Sequence, residues 1–257
     1  DVKVTVDHQD HIATLSQAAT RAGVTIGVLV DVDLGMHRTG VIGPEAALAL
    51  AERIAEAPGL ELRGVMGYEG HTLLIEELPV KRAAISRAIG ELTRARDRIT
   101  AAGLPCPIVS AGGTGSYQFS ADEPGLTEIQ AGGGIFACRY YTELCGVKGH
   151  NPAISLLATV VSRPDPSRAI LDIGQKSISA YRTPPVIIGY PQCEVGGLSA
   201  EHAPVTLGPD DSLSIGEKVR VIPGYSDFTF VLHDRVIGHR NGIVESVWQL
   251  LGRGQLQ

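Results

Sequence analysis

Apolar and polar positions fall into two successive textures along the chain. In the first, short apolar runs alternate with longer stretches of helical period. Val2 to Val6 reads as a strand. His8 to Ala22 sets Leu15, Ala18 and Ala22 on one side and stops at Gly23, a helix with a glycine C-terminus. Val24 to Asp33 is almost continuously apolar, as expected of a strand covered on both faces. Pro44 to Ala57 is an alanine-rich helix closed by Pro58-Gly59, Leu62 to Tyr68 is a strand, and Lys81 to Ala102 is a long helix. Ile108 to Ser110 and Thr127 to Gln130 are short strands. Repeated βα units of this size predict a parallel sheet, amounting to about half to two-thirds of a (β/α)8 barrel, with the early strands expected before Asp1.

After His150 the helical period disappears. Ile154–Ser162, Ala169–Asp172, Val186–Gly189, Pro204–Leu207, Lys218–Ile222, Thr229–His233, Arg235–Arg240 and Ile243–Trp248 are short and β-branched, and Asn241-Gly242 marks a hairpin between the last two. The predicted fold is therefore α/β: an incomplete (β/α)8 TIM-type barrel over 1–149, followed by a mainly antiparallel β domain over 150–257.

Composition narrows the function classes. A net charge of −6 without a lysine or arginine stripe argues against nucleic-acid binding. No apolar stretch reaches membrane-spanning length and the first residues already read as a strand, so the expectation is a cytoplasmic protein without a signal peptide. Cys106, Cys138, Cys145 and Cys193 show no CxxC spacing and are read as reduced.

Chemistry-bearing residues collect where the predicted parallel strands end, the edge at which such sheets bind ligands. The run VLVDVDLGMHRTGV leaves its strand and reaches Arg38, which either meets an anionic group or pairs with Asp31 or Asp33. Tyr68-Glu69-Gly70-His71 leaves the next strand, and His71 is either a general base or a histidine bonded within its loop. Ser110 to Ser116 and Gln130 to Gly134 are glycine-rich loops at the following two strand ends. Such loops bring backbone N–H groups to a bound anion, and two in succession fit one phosphate better than two unrelated turns.

DVDLGMHRTGV, GYEGHT, SAGGTGSY and EIQAGGG, followed by LDIGQKSIS, LSAEHAPV, IGEKVRVIPGYSDFT and NGIVESVWQLLGRG, resemble the D-threonine aldolase and D-serine dehydratase family over nearly the whole chain. These are pyridoxal-phosphate enzymes of fold type III with an alanine-racemase-like barrel. The resemblance implies that Arg38 lies near the cofactor's phenolic oxygen, Tyr68 by the pyridine ring and His71 toward the substrate. It assigns Gly112, Gly113, Thr114, Gln130, Gly132 and Gly133 to the phosphate. It also implies a head-to-tail homodimer.

The sequence departs from that pattern in three places. The Schiff-base lysine would precede Asp1, and none of Lys3, Lys81, Lys148, Lys176 or Lys218 stands in an equivalent place, so another polypeptide or an N-terminal segment is expected to supply it. Where the family presents a histidine and, two residues on, an aspartate or cysteine for a divalent ion, this chain has Tyr225 and Asp227. Asp227 with His202 makes a poor two-ligand site for manganese or zinc, because a phenol must ionise from a pKa near 10 to join it. Gly134 and Cys138 stand where the family commonly has tyrosine and aspartate. The resemblance then implies a lyase that cleaves or dehydrates a β-hydroxy D-amino acid. The alternatives are a metal-independent racemase or epimerase, with His71 and Tyr225 as its two proton-transfer groups, and a non-catalytic remnant of the fold.

Overall fold

The structure is a computed structural model that describes residues 2–255. It divides into two compact units, Asp1–Gly132 and Gly133–Gln257.

The first unit alternates strand and helix: β1 (Lys3–Val6), α1 (Gln9–Ala22), β2 (Ile26–Val32), α2 (Pro44–Glu56), β3 (Leu60–Gly67), α3 (Leu78–Ala101), β4 (Ile108–Ala111), α4 (Tyr117–Ser120) and β5 (Glu128–Ile129). All neighbouring strands are parallel, and their spatial order is their chain order, β1-β2-β3-β4-β5. A doubly wound sheet reverses strand order at a switch point, whereas a barrel wall does not, so this sheet is an arc of barrel wall. Val30, Val65 and Val109 are in register across three strands and fully buried, forming one layer of the core. Ile54 of α2 and Ile85, Leu92 and Ile99 of α3 cover the outer face.

Local chemistry explains the helix boundaries. His8 caps α1 by accepting the Asp10 N–H at 3.3 Å, and Gly23 ends it in the left-handed region at φ 66°. α3 begins at Leu78, three residues before the sequence-based start, because Pro79 suits a first helical turn, where its missing N–H goes unneeded.

In the second unit β6 (Leu156–Asp165), β7 (Arg168–Leu171), β8 (Val186–Ile187), β9 (Glu194–Val195), β10 (Ala203–Thr206) and β11 (Lys218–Ile222) form one sheet in the order β8-β11-β6-β7-β10-β9, antiparallel throughout. Val160, Leu171, Val205, Leu213 and Val221 build its own buried core. β12 (Arg235–Arg240) and β13 (Ile243–Gln249) form the expected hairpin, with both turn residues at positive φ, Asn241 at 50° and Gly242 at 82°.

The expected strand over 229–233 is instead helical turn. The segment folds into α5 (Ser226–Phe230), in which the Thr229 hydroxyl donates back to the Tyr225 carbonyl at 2.8 Å and accepts the Ser179 N–H at 3.1 Å. These side-chain bonds outweigh the β-branched and aromatic composition. The strand β9 and a π-helical turn at Tyr140–Leu144 were not legible in the sequence pattern.

No helix among the described residues is long and apolar enough to cross a membrane. Leu92 is fully buried between the helix layer and the sheet. Leu92→Ala should therefore destabilise the first unit by about 2–5 kcal/mol, seen as a lower urea midpoint by far-ultraviolet circular dichroism. An unchanged midpoint would contradict this packing.

Candidate active site

The carboxyl ends of β2, β3, β4 and β5 open on one edge of the parallel sheet, with Val32 paired to Gly67 and Ala111 to Ile129. Past β2 the chain turns around Asp33. Its Oδ1 accepts the Gly35 and His37 N–H groups at 2.9 and 3.0 Å, and its Oδ2 lies 3.0 Å from His37 Nδ1. Against the burial that would raise it, these bonds hold the Asp33 carboxyl below its ordinary range. Burial has the upper hand at Asp31, which is pushed up despite the Thr39 hydrogen bond and the Arg38 charge.

This turn delivers Arg38 to the aromatic face of Tyr68, with the guanidinium carbon 5.7 Å from the ring centroid. Among the described residues Arg38 forms no ion pair with Asp31 or Asp33, so the cation is held at the strand edge by a ring. Tyr68 in turn lies flat on the β4 loop: a Cβ at Gly113 would come within 2.7 Å of its Cε2, a contact only glycine permits. His71 sits in the short 3-10 turn Gly70–Thr72 and lies over the β2 loop, since a Cβ at Gly35 would be 3.2 Å from its Nε2. Buried Lys81 steadies the loop after this turn, its Nζ donating to the Leu73 carbonyl at 2.8 Å.

Beneath these residues lies a group the sequence reading passed over. Glu69 is fully buried, and its carboxylate accepts three hydrogen bonds from the β4 loop and α4. Oε1 takes the hydroxyls of Ser116 at 2.5 Å and Ser120 at 2.7 Å, while Oε2 takes the Gly112 N–H at 3.2 Å. Ser116 Oγ also accepts the Gly113 N–H at 3.1 Å. The Gly112 carbonyl accepts the Gln130 N–H at 2.8 Å, and the Gln130 side chain donates to Ser110 Oγ at 2.7 Å, which reaches Glu128 at 2.6 Å. The Gly132 N–H returns to the Gln130 carbonyl at 3.0 Å.

The amides of Gly112 and Gly113 are thus bonded internally. Those of Thr114 and Gly115, both buried residues, have no acceptor among the described residues, and neither does the Thr114 hydroxyl. N–H groups left without a protein acceptor at a strand end are available to a bound anion. The one signal for Glu69 in the sequence was its place inside GYEGHT, one residue past Tyr68. Ser116 and Ser120 are spaced four apart, as two hydroxyls on one helical face would be.

In the second unit Tyr225 precedes α5, and its phenol donates to Asp227 Oδ2 at 2.7 Å. Tyr141 OH donates to the same oxygen at 3.2 Å, and Ser226 Oγ bonds Oδ1 at 3.0 Å. Tyr140, Tyr181 and Phe228 pack around the Tyr225 ring with centroids 5.0 to 5.6 Å away. Gly133 admits the Tyr141 ring, where a Cβ would meet Cε2 at 2.5 Å. Burial, then the Tyr141 and Asp227 bonds, push the Tyr225 phenol far above its ordinary pKa. His202 is exposed, and Lys176 is ion-paired on the surface with Glu201 at 2.8 Å.

Comparison with known proteins agrees with this architecture. Residues 1–139 match the alanine racemase N-terminal domain family and residues 153–239 a putative serine dehydratase domain. The pairing of these two parts defines the class, a fold type III barrel followed by a dehydratase-type β domain. The chain is 35% identical to a D-threonine aldolase of Arthrobacter sp., over 98% of its own length and 68% of that relative's. It is 33% identical to a 3-hydroxy-D-aspartate aldolase of Paracoccus denitrificans, over 99% of its length and 67% of the relative's. The solved D-threonine aldolase of Filomicrobium marinum superposes with a TM-score of 0.95 at 30% identity, covering 99% of this chain and 71% of that one. The chain belongs to the D-threonine aldolase and D-serine dehydratase family of fold type III pyridoxal-phosphate enzymes.

Two groups that the family implies can be tested against the residues. Pyridoxal phosphate fits the first unit: converging N–H donors at the β4 loop suit a phosphate of about two negative charges, and Tyr68 with Arg38 offers a flat cationic and aromatic wall. A divalent ion does not fit at Asp227. Its oxygens already accept three hydroxyl bonds, and no group of three or more His, Cys, Asp or Glu that could hold a metal occurs among the described residues.

The raised Tyr225 pKa has a definite sign. A phenol whose folded pKa exceeds its unfolded value contributes stability that is intact below pH about 10 and is lost as pH climbs toward the folded value. Tyr225→Phe should therefore lower stability at pH 7 to 9, where the phenol's bond to Asp227 is intact, and lessen the further alkaline loss, measured by thermal unfolding across pH. An alkaline profile identical to that of the unsubstituted protein would contradict the assignment.

Proposed function

We propose that the protein acts as a pyridoxal-phosphate-dependent lyase on a β-hydroxy D-amino acid, with aldol cleavage as its leading reaction. The observation that carries this reading is the pair of amides at Thr114 and Gly115, without acceptors among the described residues, one loop from the Arg38–Tyr68 wall. Similarity to two aldolases over nearly the whole chain supports the choice of reaction.

When bound, pyridoxal phosphate supplies an electron sink for the bond broken at the amino acid's α-carbon. The chain's residues do the rest. The β4 loop, held by Gly112, Gly113 and Gln130, presents Thr114 and its neighbour to the phosphate, and the loop at Gly132 and Gly133 flanks it. Arg38 balances charge at the phenolic oxygen, and Tyr68 fixes the ring plane. His71 takes the proton from the β-hydroxyl oxygen. The Cα–Cβ bond then breaks, its electron pair passes to the α-carbon, and an aldehyde leaves. Protonation of the α-carbon completes the balance and yields the shorter amino acid. Within the second unit Tyr225 keeps its proton in a hydrogen bond to Asp227, which accepts it there. The Schiff-base lysine comes from a polypeptide segment outside residues 1–257, and the assembly is a cytoplasmic head-to-tail homodimer. These last features rest on the family resemblance.

The assembled protein should convert D-threonine to glycine and acetaldehyde in equal amounts, and His71→Gln should lower kcat by about 100-fold or more. Formation of a 2-oxo acid with ammonia would reassign it to dehydration. Interconversion of D- and L-threonine without cleavage would favour the racemase reading.

A further inference from the structure

We infer that Glu69 is the positioning residue that sorts the donors of the phosphate loop, making the site selective for a phosphate monoester; this rests on the cofactor reading above. A carboxylate taken fully out of water costs several kcal/mol unless its charge is met by donors, and the chain meets it here with three from a single loop and its helix. The consequence lies less in anchoring than in polarity. Because Ser116 must point its proton at Oε1, its lone pairs are fixed toward the Gly113 N–H at 3.1 Å. Oε2 takes the Gly112 N–H and so orients the 111–112 peptide, while the carbonyl of the same glycine accepts the Gln130 N–H of the next strand end.

The Ser116 and Ser120 hydroxyls and the Gly112 amide are bonded to the anion below, and the Gly113 amide is bonded through Ser116. The Thr114 and Gly115 amides and the Thr114 hydroxyl remain at the top without acceptors among the described residues. A neutral amide at position 69 could present an N–H to Ser116, reverse that hydroxyl and release the Gly113 amide, so the loop would lose its single preferred donor arrangement. The Glu69 carboxylate takes its hydrogen bonds from the β4 loop and α4, at Gly112, Ser116 and Ser120.

Equilibrium binding of pyridoxal phosphate and of unphosphorylated pyridoxal to the purified protein, read by cofactor absorbance and fluorescence, tests this. Glu69→Gln should weaken pyridoxal phosphate by about tenfold, the loss expected for a hydrogen bond to a charged group, and leave pyridoxal unchanged. Ser120→Ala, a milder change with one donor removed, should shift the ratio of the two affinities in the same direction and keeps the test available if Glu69→Gln does not fold. An equal loss for both ligands, or no loss for either, would overturn the role of Glu69 and leave the cofactor reading standing. An unsubstituted protein that binds both ligands equally would instead overturn the cofactor reading itself.

Discussion

Five parallel strands in chain order present their carboxyl ends at one edge, and every backbone donor there must find a partner outside the ladder. Asp33 and the Glu69 carboxylate answer that demand, Asp33 with two amides and Glu69 with one amide and two hydroxyls. Glu69 lies below the β4 loop and fixes which amides face outward. The ring of Tyr68, one residue earlier, covers the same loop from above through Gly113, and Arg38 covers Tyr68. Thus one dipeptide at the end of β3 organises the turns of three strands, its two side chains dividing the work between a buried charge and an aromatic wall.

The second unit meets a similar demand with phenols. Asp227 is exposed overall, yet two tyrosines and a serine address its carboxylate, and aromatic rings pack around Tyr225. Gly133 admits Tyr141, so the loss of a side chain at one position makes room for a donor at another.

Much of this was legible in the sequence. The strand ends at Arg38, Tyr68 and Thr114 followed from apolar runs passing into glycine-rich turns, and the parallel sheet followed from the alternation of periods. Segment 229–233 did not, because Thr229 and its neighbours have the composition of a strand while side-chain bonds to the backbone hold them in a helical turn. Glu69 was hidden for a related reason. A lone glutamate among glycines looks like a solvated loop residue, and only the distant hydroxyls of Ser116 and Ser120 reveal it as a buried acceptor. The amides of Gly112 and Gly113 show the limit of reading glycines as donors: the motif marks the turn, and the bonding pattern decides which N–H remains available.

Tyr225 beside Asp227 sets what this position can do chemically. A metal ion at such a pair would act as a fixed positive charge, whereas a phenol offers one proton along one direction. The raised pKa sharpens that difference, because burial and the Asp227 bond both keep the proton on Tyr225 at neutral pH. A group so held is a weak acid at neutral pH, and its one proton stays committed to the Asp227 carboxylate.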